Sequence, residues 1–326
     1  MKAERTHLKK SPALYIVMIA AWVVLIAWLW FNIARGFTAP PFAAGVSPSR
    51  ALRITAIVLV ALNGIFISYF WLNGVKDFLY VIWYLFAKRA LCRQYKGTLR
   101  ADVSGIDDKV LLLYCTCNDF DADSLLQCMD QNYSNFETII LDDSSKQEYK
   151  EEIDRFAAQH HVRVIRRSDR VGFKAGNINH FLQSEEAKNS GYRYAVILDS
   201  DEVIPENFIA ECLKYFVTDD NVGIVQANHV ATRNRNFFMK LFHIGVNSHW
   251  PTYQTMKHRY GFSSMLGHGA MIRRECYEGA GGFPNLVAED LCLSIELRNL
   301  GYYVAFAPNI VCREEYPVDY AAFKKR

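Results

Sequence analysis

The stretch "YAVILDSDEVIPENF", residues 194–208, runs from a short apolar segment straight into Asp199, Ser200, Asp201 and Glu202. Residues 195–198 have the length and composition of a buried strand, bounded at once by polar residues. Three carboxylates within four residues repel one another unless positive charge sits among them. The residues alone leave two readings: a solvated acidic turn, or a place built to receive a cation.

The flanking sequence repeats the pattern. Short apolar runs occur at residues 110–115, 138–141, 162–165, 194–198 and 222–225. Between them lie the amphipathic stretches "DSLLQCMDQN", "QEYKEEIDRFAAQHH", "AGNINHFLQSEEAK" and "ENFIAECLKYF". Strands alternating with helices of this length predict an α/β fold, a mostly parallel sheet with helices on both faces. Ligands of such open sheets bind beyond the carboxyl ends of the strands. The residues there are Thr116, Cys117, Asn118 and Asp119 after the first run, Asp142, Asp143, Ser144 and Ser145 after the second, and Asp199 to Asp201 after the fourth. Several acidic strand ends at one edge predict a single acidic crevice.

The first hundred residues differ in kind. Uncharged runs predict membrane spans at about 14–33 and 54–72, and "KDFLYVIWYLFAKR" predicts an interfacial helix at about 77–89. A cleaved signal peptide fits less well, because the first run exceeds an ordinary apolar core and a second span follows. Lys2, Arg5, Lys9 and Lys10 precede the first span, and Lys76, Lys88, Arg89, Arg93, Lys96 and Arg100 follow the second. The positive-inside rule puts both ends in the cytoplasm. The prediction is a multi-pass protein of the cell (inner or plasma) membrane, with residues 101–326 forming a cytoplasmic catalytic domain.

Composition excludes other classes. The chain has 326 residues, 51% hydrophobic, with a formal charge of +3. That balance gives no reason to expect nucleic acid as a partner. The nine His residues show no zinc-protease spacing, and the eight Cys residues show no Cys-x-x-Cys. Free thiols in a reducing compartment are the expectation. Residues 228–326 are less regular and aromatic-rich. A helix is predicted from Glu289, with Asp290 in its first turn and Gly301 as its stop, and "GAGGF" reads as a turn.

Four segments together carry a resemblance. "CTCNDFDADSLLQCMDQNYSNFETIILDDSS", "RVGFKAGNINHFL", "ILDSDEVIPENFI" and "AEDLCLSIELRNLGYYVAFAP" occur in the order seen in the inverting, membrane-bound family 2 glycosyltransferases of GT-A fold. The chain resembles their processive synthases, such as bacterial cellulose synthase catalytic subunits and hyaluronan and poly-N-acetylglucosamine synthases. Asn118-Asp119 stands where an Asn-Glu is usual, and Ala288 replaces a Thr.

The resemblance implies a UDP-sugar donor and Mg²⁺ or Mn²⁺, with Asp199 and Asp201 as metal residues. It implies Thr116, Asn118, Asp142 or Asp143, Lys174 and Asp199 for the nucleotide sugar. Asp290 is the implied general base, with Glu289 beside it, and Gly267 and His268 lie in the acceptor-facing stretch. The inverting pattern implies a β product from an α-linked donor. Partners implied are a glycan or glycolipid acceptor, the lipid bilayer and accessory synthase subunits.

The Gln-x-x-Arg-Trp motif of processive members does not occur before the chain stops at "YAAFKKR". The expectation is a fragment that continues into further membrane helices. Three functions stay open: a processive β-glycan synthase, a transferase adding one sugar to a lipid or glycolipid, and a catalytically silent membrane scaffold.

Overall fold

The computed structural model describes residues 13–38, 49–231 and 236–325. The chain forms two compact units. Of the described residues, one holds 13–38, 49–91 and Arg259–Gly261, and the other holds 92–231, 236–258 and 262–325.

The first unit contains the helix Ala13–Thr38 and, as far as Leu91, the helix Arg50–Arg93. Among the described residues, Arg50–Trp71 is long and apolar enough to cross a bilayer, whereas the apolar part of the first helix, Ile19–Arg35, is shorter. The sequence separates a span at 54–72 from an interfacial helix at 77–89; the structure runs both into one helix. Gly74 between them costs a helix only about 1 kcal/mol, and no proline interrupts the run. Lys2, Arg5, Lys9 and Lys10, on which the orientation partly rests, lie outside the described residues.

The second unit is built on a seven-stranded sheet. Its strands are β1 (Val110–Thr116), β2 (Phe136–Asp142), β3 (Arg163–Arg166), β4 (Tyr194–Asp199), β5 (Val222–Ala231), β6 (Ala270–Arg273) and β7 (Tyr303–Glu314). The order is β3-β2-β1-β4-β6-β5-β7. β3, β2, β1 and β4 run parallel, β6 is antiparallel to both its neighbours, and β5 and β7 are parallel.

Alternate residues of β1 enter opposite cores, as strand geometry requires. Val110, Leu112 and Tyr114 pack with the helices Ala122–Met129, Gln147–His160 and Phe208–Thr218. Leu111, Leu113 and Cys115 pack with Phe173–Leu182 and Glu289–Asn299 on the other face. The predicted two-sided covering is what forms. Leu112 is fully buried, so Leu112→Ala is expected to destabilise the unit by about 2–5 kcal/mol, read by thermal melting.

Register positions the crevice. Thr116 pairs with Asp142, and Cys115 pairs with Asp199, so three strands deliver their last residues at one level. β6 runs the other way and begins at this edge, with Ala270 opposite Ile197. Gly267 and His268 therefore enter the same edge from the chain just before β6. β7 reaches it despite Pro308: register moves from Ala227–Ala307 to Asn228–Val311, leaving residues 308–310 as a bulge. Bulges are where a sheet accepts proline.

Candidate active site

A cavity of about 620 Å³ opens at this edge. Its wall includes seven carboxylates, from Asp119, Asp121, Asp143, Asp199, Asp201, Glu314 and Glu315, against the cations Arg170, Lys174 and His268. The volume suits a small-molecule ligand. The excess of acid suits a cation within it, or a ligand that arrives with one.

The acidic turn is held from below. Tyr114 donates its hydroxyl to the Ser200 carbonyl at 2.8 Å. Val203 and Arg313 exchange two backbone hydrogen bonds, at 2.7 and 2.8 Å. Glu202 is fully buried: one oxygen stands 3.0 Å from His229 Nε2, the other accepts from the Gly269 amide at 3.0 Å and lies 3.3 Å from His268 Nδ1. Burial opposes its charge, yet the two imidazoles hold its carboxyl well below the usual range. Burial also works against charge on His268, but Glu202, Asp199 and Glu314 raise it to about 9. A Cβ on Gly269, whose φ is +58°, would fall 2.1 Å from His229 Nε2. Gly269→Ala is therefore expected to cost about 2–5 kcal/mol, combining left-handed strain with overpacking, and to lower the melting temperature.

Lys174, in the first turn of Phe173–Leu182, forms an ion pair with Asp199 Oδ1 and donates to the Gly267 carbonyl at 2.9 Å. Burial disfavours charge on both partners, but their attraction keeps Lys174 above and Asp199 below their ordinary values. His268 Nε2 stands 3.9 Å from Asp199 Oδ2 and 3.2 Å from Glu314 Oε2. Asp199 and Asp201 thus share one cavity wall with the cations Arg170, Lys174 and His268, and their oxygen donors fit a hard ion such as Mg²⁺ or Mn²⁺.

The sequence-selected residues divide into groups. Thr116, Asp143, Lys174, Asp199, Asp201 and His268 line the cavity. Asp142 and Asp143 separate: the buried Asp142 carboxylate takes Arg166 Nε at 2.6 Å and the Ser144 amide at 2.8 Å, while Asp143 meets Arg167 in a two-point pair at 2.8 and 2.6 Å. Asn118, at φ +61°, ties the β1 loop to the β2 loop, its oxygen accepting from the amides of Ser145 and Lys146 at 2.9 and 2.8 Å. Glu289 and Asp290 begin the helix Glu289–Asn299, outside the cavity wall. A Cβ on Gly267 would stand 3.8 Å from Asp290 Oδ2, so Asp290 sits at the rim across the glycine that holds Lys174.

The profile of the family described as "Glycosyltransferase like family 2" matches residues 122–326. The chain belongs to glycosyltransferase family 2. Its family relatives include the Arabidopsis thaliana protein named "Probable glucomannan 4-beta-mannosyltransferase 10", 25% identical over 57% of this chain and 35% of that protein. The Xylella fastidiosa "Glucans biosynthesis glucosyltransferase H" is 26% identical over 47% of this chain and 25% of that one. The matched region thus spans about a third or less of these curated relatives. Among solved structures, the Pyrobaculum calidifontis mannosyltransferase PcManGT, in complex with GDP-Man and Mn²⁺, superposes with a TM-score of 0.54 at 21% identity. The match covers 76% of this chain and 68% of that one. The family 2 chain shares its GT-A fold.

Several wall residues of this family 2 domain escaped sequence reasoning. Asn177 is buried, lines the cavity and has an Oδ1 without a hydrogen-bond partner. It follows Lys174 by three residues on a helix, a spacing that puts the two on one face. Arg170 donates to Cys117 Sγ at 2.8 Å. Glu314 and Glu315 come from the end of β7, a strand the sequence reading did not find.

Proposed function

We propose that this chain transfers a sugar, with inversion, from a nucleoside-diphosphate sugar to a growing β-linked glycan at the cytoplasmic face of a membrane, using Mg²⁺ or Mn²⁺. The observation that carries this reading is the register that sets Thr116 and Asp199 at one level beside Asp143, Lys174, Asp201 and His268 in one cavity. A UDP-sugar is the first expectation. GDP-mannose is the second, favoured by the mannosyl donor of PcManGT and the name of the plant relative.

Asp199 and Asp201 would hold the ion, which when bound offsets charge on the departing diphosphate. Asp143, held by Arg167, would recognise the base and ribose. Lys174, which pairs with Asp199, would meet the donor phosphates when that carboxylate holds an ion. At the rim, Asp290 accepts the proton of the acceptor hydroxyl as its oxygen bonds to C1. The C1–phosphate bond breaks on the opposite face, and its electron pair leaves with the diphosphate. The apolar helices of the first unit anchor the chain in the bilayer, by two spans in this reading.

The test is labelled sugar incorporation by membranes carrying the full-length gene product, with UDP-glucose, UDP-N-acetylglucosamine and GDP-mannose supplied separately, with Mn²⁺ or EDTA. Metal-dependent label in high-molecular-weight glycan is the expected result. Label confined to an organic-extractable fraction would replace the polymer reading with single transfer to lipid. No label from any donor would sink both. Lys174→Met is expected to raise the donor KM about 10–100-fold, the loss of one charge-assisted contact, in a donor titration.

A further inference from the structure

Beneath the acidic turn lies a second group of donor atoms that the proposed transfer does not use. Glu202, His229 and Cys312 are all completely buried, and a carboxylate oxygen, a ring nitrogen and the thiol sulfur lie within 4.8 Å of one another. They come from three elements. His229 and Cys312 are register partners on β5 and β7, and Glu202 follows β4 on the turn that carries Asp199 and Asp201.

We propose that Glu202, His229 and Cys312 form a structural site for a divalent ion of the zinc class, separate from the ion proposed for the donor. Nitrogen, sulfur and carboxylate oxygen together suit Zn²⁺ and exclude Mg²⁺ as the preferred occupant. Two such ligands about 2.0–2.1 Å from a tetrahedral ion stand roughly 3.3 Å apart. His229 Nε2 and Glu202 Oε1 are 3.0 Å apart, so a small movement admits the ion between them. The Nε2–Oε1 edge is uncovered only because residue 269 is glycine: a Cβ there would fall 2.1 Å from the nitrogen and 2.4 Å from the oxygen.

Charge supports the assignment. A dication with one thiolate, one carboxylate and one neutral imidazole sums to zero, the balance a dry interior tolerates. Binding releases the Cys312 thiol proton, while the His229 ring keeps its one proton on Nδ1, which leaves Nε2 free to ligate and the imidazole neutral.

A rival triad, His229 with His268 and Glu314, also lies within reach. There the two imidazoles stack at 4.6 Å with planes 14° apart. Parallel stacked rings cannot aim their in-plane lone pairs at one ion, so the buried triad is the better site. His268 then serves as a neighbour, its Nδ1 facing the Glu202 oxygen that the Gly269 amide also holds. The consequence is mechanical: the ion fastens the acidic turn to β5 and β7 and so fixes where Asp199 and Asp201 stand.

The test uses the full chain in detergent, purified without a metal-affinity step and analysed for bound metal by mass spectrometry. Stoichiometric zinc-class metal is expected, lost in Cys312→Ser and His229→Gln but kept in Asp201→Ala. Cobalt substitution is expected to give a thiolate charge-transfer band that Cys312→Ser removes, and a strong chelator to lower the wild-type melting temperature. Wild-type protein without bound metal and without the cobalt band overturns the site. Metal retained in both triad variants overturns its location. The inference does not depend on the proposed transfer: a chain that transfers sugar yet binds no such ion defeats only this site, and a metal-loaded chain without transfer defeats only the proposed function.

Discussion

Asp290→Asn is expected to reduce sugar transfer on the order of 10²–10⁴-fold, the usual contribution of a positioned base, while nucleotide binding stays near wild type. Asn keeps the shape of the side chain and can still accept the Leu291 amide that Asp290 Oδ1 takes at 2.7 Å. What it loses is the negative charge, which near a helix start is worth only about 0.3–1 kcal/mol. The fold therefore persists and the deficit reports chemistry. Asp290 lies outside the cavity wall, across Gly267 from Lys174, so the donor loses no contact in the variant. Transfer and nucleotide titration should be measured on the same preparation. Substantial residual turnover would remove Asp290 from the base role and direct attention to Glu289, its neighbour in the first turn.

The fold was legible in the sequence where an element follows from its own neighbourhood. β1, β2 and β4 each carry a short apolar run that ends in polar residues, so both the strands and their ends could be read. β6 is four residues behind a glycine pair, and β7 is broken by Pro308; neither carries a clean period. Losing them hid Glu314 and Glu315. Arg166 and Arg167 follow a run that was found, and a β2–β3 pairing would have set Arg166 against Asp142, as the register does, with Arg167 and Asp143 next in line. Glu202 was legible only as part of an acidic turn, either solvated or built to receive a cation. It is in fact completely buried, because His229 and Gly269 reach it from elements distant in sequence. No local pattern announces a partner of that kind. The interfacial helix at 77–89 was read from an apolar stretch too short to span, bracketed by Lys76, Lys88 and Arg89; in the structure the helix runs on through it from 54–72, because nothing there breaks a helix.

Asp201→Ala is expected to lower turnover on the order of 10²–10⁴-fold, the several kcal/mol a bound ion supplies at about 1.4 kcal/mol per decade. The informative part is the binding pattern. With Mn²⁺ present, affinity for the nucleoside diphosphate should fall to the level wild type shows in EDTA. In EDTA the variant should bind at least as well as wild type, because one carboxylate fewer faces an anionic ligand in a wall that already carries seven. A merely unfolded or distorted site would lose affinity under both conditions, so the opposite signs separate a metal ligand from a structural residue. Asp199 does not offer so clean an experiment, since it also neutralises Lys174 and stands near His268. Removing it would free a cation for the diphosphate at the same time as it removed an ion ligand. An Asp201→Ala chain whose affinity matches wild type both with and without Mn²⁺ would take Asp201 out of the donor metal site.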